Sequence, residues 1–267
     1  MDIKEIKVKR CLTKSKVADY TINPYVGCQH GCRYCYATFV KQLYHIDLPW
    51  GEFCYPKINC VELLKEELKN ASPGHIWLSS VTDAYQPLEG KYQLTRQILE
   101  TLIEYKHKFS VEILTKSSLA MRDFDLIKQL NAELGSSMTT LDSEIARNIE
   151  PFASPPKERI RMLKEAKDSG IHVYGFISPV LPGITRIDEL FKELRFCDYI
   201  LIELLNTKRS VMTRLMPIIE EKYPHALDEL NFYIRNKQLY YNQIHQEVQH
   251  LEEKYNSPVR EIIVHTN

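Results

Sequence analysis

Gly27-Cys28-Gln29-His30-Gly31-Cys32-Arg33-Tyr34-Cys35-Tyr36 is the stretch on which both fold and chemistry turn. Three thiols at a C-x3-C-x2-C spacing can converge on three corners of an iron–sulfur cube, and the glycines let the backbone turn tightly around it. A 4Fe–4S cube has four irons, so three ligands leave one open, and an open position marks a metal that does chemistry. A structural zinc site needs a fourth ligand. His30, between the first two thiols, is poorly placed to supply it. Zinc and an unligated turn are the other readings of this loop.

Outward from the loop, short apolar runs rich in β-formers alternate with amphipathic stretches of helical period. Candidate strands are Asp19–Asn23, His75–Ser80, Ser110–Thr115, Gly135–Leu141, Ile171–Pro179 and Tyr199–Leu204. Helical patterns fall between them at Cys60–Asn70, Gln93–Lys106, Met121–Glu133, Pro156–Ser169 and Asp188–Arg195, with Gly170 as a stop signal. Alternation of this kind implies βαβ units and a parallel sheet. The expected fold is α/β, a partial (β/α)6 TIM-like barrel with its reactive groups on loops at the carboxyl ends of the strands. After about residue 206 the strand pattern stops. Arg209–Glu221 and Leu227–Tyr255 read as helices, and Glu261–His265 as a short strand. The expected division is a basic arm over 1–18, a core barrel over 19–206 and a mainly helical extension over 207–267.

Composition bounds the function. The chain has 267 residues, 44% hydrophobic and 26% charged, and no formal net charge. Neutrality argues against a protein that wraps duplex nucleic acid. Residues 1–60 carry nine Lys/Arg against five Asp/Glu, an excess concentrated at Lys4, Lys7, Lys9, Arg10, Lys14 and Lys16, which reads as a solvated arm. No apolar run spans a bilayer and no signal-peptide pattern follows Met1, so the expected location is cytoplasmic. Seven cysteines in a reducing compartment point to metal rather than to disulfides.

The cysteine loop, with an aromatic before its last cysteine, resembles the signature of the radical S-adenosylmethionine (SAM) superfamily. A longer stretch, Asn23 to Ala37, is similar to the spore photoproduct lyase-like subgroup, often labelled DNA repair photolyases. So are Val81-Thr82-Asp83-Ala84-Tyr85-Gln86-Pro87-Leu88-Glu89, Leu114-Thr115-Lys116-Ser117, Thr139-Thr140-Leu141-Asp142 and Pro179-Val180-Leu181-Pro182-Gly183-Ile184-Thr185. The resemblance covers about 70% of the chain, residues 19–205. It implies a 4Fe–4S cluster on Cys28, Cys32 and Cys35, whose open iron chelates SAM. Reductive cleavage of SAM then yields a 5′-deoxyadenosyl radical that abstracts hydrogen. It also implies a one-electron reductant such as flavodoxin or ferredoxin.

By the same resemblance, Tyr34 lies near the adenine, and later strand ends cradle SAM. Ser79 and Ser80 end strand two, where the alternative is a strand cap. Lys116 ends strand three and can pair with the SAM carboxylate; the alternative is a solvated turn. Thr139 and Thr140 end strand four, and register decides which faces inward. Asp83 either orients a ligand or caps a helix, and Glu203 either meets the cofactor ribose or a buried partner. Cys11, Cys54 and Cys60 are three possible ligands of an auxiliary cluster, or else small apolar residues like Cys197.

Two other classes remain: an iron–sulfur redox sensor without SAM turnover, and a zinc-bound nucleic-acid adaptor. Within the enzyme class the alternative is a DNA photoproduct lyase. Spore photoproduct lyase uses a strand-two cysteine to return hydrogen to the lesion; here that stretch reads Ser79-Ser80-Val81-Thr82-Asp83. The substrate is left open, duplex DNA being the disfavoured choice. Tyr25, Tyr36 and Tyr85 are the candidate hydrogen donors near the mouth.

Overall fold

The structure, a computed structural model, describes residues 1–265. In chain order the strands are β1 (Asp2–Ile3), β2 (Leu12–Lys14), β3 (Tyr20–Ile22), β4 (Tyr25–Val26), β5 (Phe53–Pro56), β6 (Gly74–Leu78), β7 (Phe109–Thr115), β8 (Glu133–Met138), β9 (Val173–Val180), β10 (Tyr199–Leu204) and β11 (Val259–Ile263). Strands β3, β6, β7, β8, β9 and β10 lie side by side in that order, each parallel to the next. Crossover helices include Cys60–Asn70, Leu94–Ile103, Phe124–Leu130, Pro156–Asp168 and Ile187–Leu194. This is the parallel α/β arrangement expected from the alternation, and the six expected strands all form. Strand β9 is buried along its whole length, as a central strand covered on both faces must be.

The N-terminal segment keeps Lys4, Lys7, Lys9, Arg10, Lys14 and Lys16 exposed, while its backbone is tied into the fold. Strand β1 pairs with β5, Ile6 bridges to Lys57, and β2 pairs antiparallel with β3. The Glu67 carboxylate accepts from the backbone N–H groups of Cys11 (3.1 Å) and Leu12 (2.7 Å), which brings Cys11 against the start of the helix Cys60–Asn70. There Cys11 and Cys60 form a disulfide, with Cα atoms 5.0 Å apart. The expectation of no disulfides and the auxiliary-cluster reading both fail on this bond. Cys54 lies elsewhere, buried beside Tyr25, Leu88 and Leu94, its thiol 3.2 Å from the Gln86 side-chain oxygen.

The C-terminal region is helical, as expected, with two departures. The stretch read as one helix breaks at Asn236 into Leu227–Arg235 and Lys237–Tyr255, without a Gly or Pro to announce it. Strand β11 pairs parallel with β10 and so extends the barrel sheet. An unforeseen helix, Ser143–Ile149, starts on Asp142, whose carboxylate accepts from the N–H groups of Glu144 (2.7 Å) and Ile145 (3.0 Å).

Candidate active site

The cysteine loop is clamped from three sides. From the segment after β6, Thr82 donates to the Gly27 carbonyl (2.6 Å), and the Gln86 side-chain oxygen accepts from the Gln29 N–H (2.8 Å). From the other flank, the Ile149 carbonyl accepts from the Arg33 N–H at 2.8 Å. Beneath, Arg214 on the helix Arg209–Lys222 donates to the carbonyl oxygens of Cys32 (3.2 Å) and Cys35. The turn needs its glycines. A side chain at Gly27 (φ +85°) would meet the Phe53 ring at 2.5 Å, and one at Gly51 (φ +96°) would meet the Gly31 Cα at 2.8 Å.

Cys28, Cys32 and Cys35 all line one cavity of about 450 Å³. Burial pushes all three thiols up, Cys32 to about 12 against the pull of Lys116. Among the described residues, no three His, Cys, Asp or Glu side chains gather tightly enough to hold one metal ion. A zinc ion needs every donor at about 2.0–2.3 Å from one point, whereas a cube lets each thiolate meet its own iron. Three thiols on the wall of one cavity are a donor set that fits a cube.

Of the cradle residues expected from the sequence, Tyr34, Ser79, Ser80 and Lys116 line the same cavity. Ser79, at φ +70°, follows β6, and its buried hydroxyl has no hydrogen-bond partner among the described residues, nor has Trp77 Nε1. Unsatisfied buried groups in a cavity wall suit a polar ligand. The Ser80 hydroxyl faces the Asn23 amide at 3.4 Å. Lys116 Nζ donates to Ser137 Oγ (2.8 Å) and stands 5.6 Å from the centre of the Tyr34 ring.

The strand-four threonines are placed differently. Thr139 Oγ1 is buried behind the wall, 3.3 Å from the Tyr34 hydroxyl and 3.0 Å from the Ser178 carbonyl. Thr140 Oγ1 accepts from the Asp142 N–H (3.1 Å) and shapes the turn into the next helix. Neither lines the cavity; Ser137, two residues earlier on β8, does. The period-two register put Ser137 and Thr139 on one face, and the strand's end decided which of them reaches the opening.

Two buried networks fix this wall. Tyr34 donates its hydroxyl to Glu150, which also receives Arg159. Burial alone would raise Glu150, but the Arg159 guanidinium and Lys116 outweigh it and hold the carboxyl below its usual range. Arg159 is itself 1% exposed and donates to the Ser137 carbonyl at 2.8 Å. The Tyr34 hydroxyl is thus committed, leaving its ring to the cavity. In the second network Asp83 accepts from Thr115 Oγ1 (2.6 Å) and from the N–H groups of Lys116 (2.8 Å) and Tyr85 (2.8 Å). His30 Nδ1 lies 3.3 Å from the same carboxylate. Burial would raise Asp83, yet His30 and these hydrogen bonds hold it well below the usual carboxylate range. Asp83 therefore braces the cysteine loop against β7.

On the far wall Glu203 meets Ser178 Oγ and, at 2.9 Å, His265 Nε2. Tyr36 lines the cavity and donates to the Ser80 carbonyl. Tyr25 and Tyr85 are instead fully buried, Tyr25 bonded to Glu89. Sequence reasoning missed Ser137, Glu150, Arg159, Arg214 and His265. Only the Arg159–Glu150 pair left a trace, as opposite charges flanking a helix start. The others depend on which segments meet in space.

The family model of the radical SAM superfamily matches residues 22–194. The chain belongs to that superfamily of enzymes. Among relatives, an uncharacterized protein of Methanocaldococcus jannaschii is 34% identical over 232 residues, spanning 85% of this chain and 86% of that one. A radical SAM Nα-GlyT isomerase of Pseudomonas phage M6 is 26% identical over 170 residues, which is 62% of this chain but 34% of the phage protein. Among solved structures, spore photoproduct lyase complexed with dinucleoside spore photoproduct superposes with a TM-score of 0.67 at 15% identity, over 97% of this chain and 82% of that one. At that identity the likeness is one of fold. Among the described residues no helix is long and apolar enough to cross a membrane.

Proposed function

We propose that this chain cleaves S-adenosylmethionine reductively and abstracts a hydrogen atom from a substrate other than duplex DNA. The observation that carries the reading is the single cavity lined by Cys28, Cys32, Cys35, Ser79 and Lys116. The three cysteines would hold a 4Fe–4S cluster. Ser79 and Lys116 would bind the amino-acid end of SAM, with the Tyr34 ring and Ser80 beside them, while Thr139 acts from behind the wall and Thr140 through the turn that follows β8. When bound, cluster and SAM together supply the 5′-deoxyadenosyl radical. An iron–sulfur sensor has no use for such a cradle, which disfavours that alternative.

The cysteines lining the cavity are the three of the loop, so no further thiol stands ready to return hydrogen to a substrate radical. That task falls to Tyr36, which lines the cavity, or to 5′-deoxyadenosine. A cytoplasmic setting and a flavodoxin or ferredoxin as reductant belong to the same reading. The test is anaerobic reconstitution followed by SAM and dithionite. Iron near four per chain, as in one cube, and formation of 5′-deoxyadenosine are expected. Lys116→Ala should keep the iron and weaken SAM binding about ten- to a hundredfold, the loss of one charge-assisted hydrogen bond of ~1.5–3 kcal/mol. A full iron complement without 5′-deoxyadenosine would leave a sensor, and repair of thymine-dimer oligonucleotides at enzymatic rates would restore the photoproduct lyase.

A further inference from the structure

A second cleft, of about 790 Å³, opens beside the cysteine loop, and the reading above leaves it without a role. It is lined by Arg33, Lys41, His45, Trp50 and Arg214, and Asp47 is the acidic side chain among the described lining residues. The basic excess is local, because the whole chain is neutral. Its position ties it to the cluster cysteines. Arg33 follows Cys32 in the chain, and Arg214 is bonded to the carbonyls of Cys32 and Cys35. Trp50 walls both this cleft and the cavity that holds the thiols.

The same short stretch exposes apolar side chains. Phe39 is 45% exposed, Leu43 67% and Tyr44 41%, all on the segment that follows Cys35 and carries Lys41 and His45. Three large apolar residues among cations are wasted on water and on a phosphate backbone, since neither buries them. A protein face with acidic and apolar residues satisfies both sets.

We propose that this cleft is the docking face for a small acidic protein that carries single electrons. The proposal rests on the reading of Cys28, Cys32 and Cys35 as cluster ligands, and it adds the partner's approach. A carrier seated here meets Arg33 and Arg214, the first inside the cysteine loop and the second bonded to its carbonyls, at a cleft other than the cavity that the thiols line. Interfaces of this kind are small and short-lived, commonly below about 1,200 Å², so opposite charge mainly speeds the encounter. In the transfer the carrier's reduced flavin loses one electron to become a semiquinone, and the cluster site gains that electron.

The test uses the reconstituted full chain and an acidic flavodoxin as probe. Affinity is measured by calorimetry at low and high salt. Cluster reduction by flavodoxin hydroquinone, and separately by dithionite, is followed by electron paramagnetic resonance. The R33E/K41E variant should bind flavodoxin at least tenfold more weakly at low salt and be reduced by it correspondingly more slowly, with its salt dependence flattened. Dithionite should reduce variant and wild type alike. A second variant, Leu43→Asp, should weaken flavodoxin binding even at high salt. Unchanged flavodoxin affinity in both variants would overturn the proposal. So would a variant that dithionite also fails to reduce, since the charges would then act through the loop itself, or one that loses duplex DNA binding while flavodoxin binding persists. Failure of dithionite with the wild type would instead strike the cluster reading, and the docking face would fall with it.

Discussion

At Asp83 a charge sits inside the protein because four groups converge on it: His30, the Thr115 hydroxyl and the N–H groups of Lys116 and Tyr85. Asparagine keeps the shape but turns a donor toward the Lys116 N–H, where a donor already stands. Asp83→Asn is expected to lower unfolding stability by about 1.5–3 kcal/mol, the scale of hydrogen bonds to a charged group. The pH dependence has a definite sign. A carboxyl whose folded pKa is depressed contributes fully above its unfolded value of about 3.9 and loses that contribution only as pH falls further. The difference in urea midpoint between wild type and variant should therefore still be present at pH 5 and be lost only below about pH 4. No difference at pH 5 would mean that Asp83 is no brace.

Among elements, the cysteine loop and the segment carrying β5 are interlocked through glycine. Gly51 has its own Cα side turned against the Gly31 Cα, and both have positive φ. Gly51→Ala adds a methyl where backbone stands 2.8 Å away, so one of the two segments must move, and any shift of Gly31 displaces the loop that carries the thiols. The expected outcome is a folded protein with sharply reduced iron content after reconstitution. Gly90→Ala is the matched control, because its added methyl meets nothing within 4 Å. Equal iron content in the two variants would show that the loop tolerates displacement.

For the whole molecule, the parallel sheet leaves β10 in need of cover, and β11 supplies it from the far end of the chain. Tyr199-Ile200-Leu201-Ile202-Glu203-Leu204 is long and apolar, and such a strand at an open edge invites pairing with another chain. A chain truncated after Tyr255 is expected to elute from size exclusion as larger species than the full chain at equal concentration. An unchanged elution volume would show that β10 tolerates an open edge. The same strand brings His265 to Glu203, so its loss also alters the cavity's far wall.

What the sequence determined by itself is local chemistry and local period. The cysteine spacing singled out Cys28, Cys32 and Cys35, which line one cavity, and the alternation of strand and helix signals found β3, β6, β7, β8, β9 and β10, which lie side by side in that order because consecutive βαβ units pack as neighbours with little choice. Strand ends were legible to within a few residues, enough to place Ser79, Ser80 and Lys116 at the cavity but not to choose Ser137 over Thr139. The remainder was decided by tertiary structure. Cys11 meets Cys60 where the N-terminal backbone is tied to Glu67 and paired with β3. Arg214 reaches the cysteine loop from a helix 179 positions later, and Glu150, Arg159 and Tyr34 join from three separate segments. Contacts of that kind depend on how loops close and layers stack. No short-range pattern encodes them, and burial is what makes them necessary, since a charge or hydroxyl inside the protein must find its partner wherever the fold brings one.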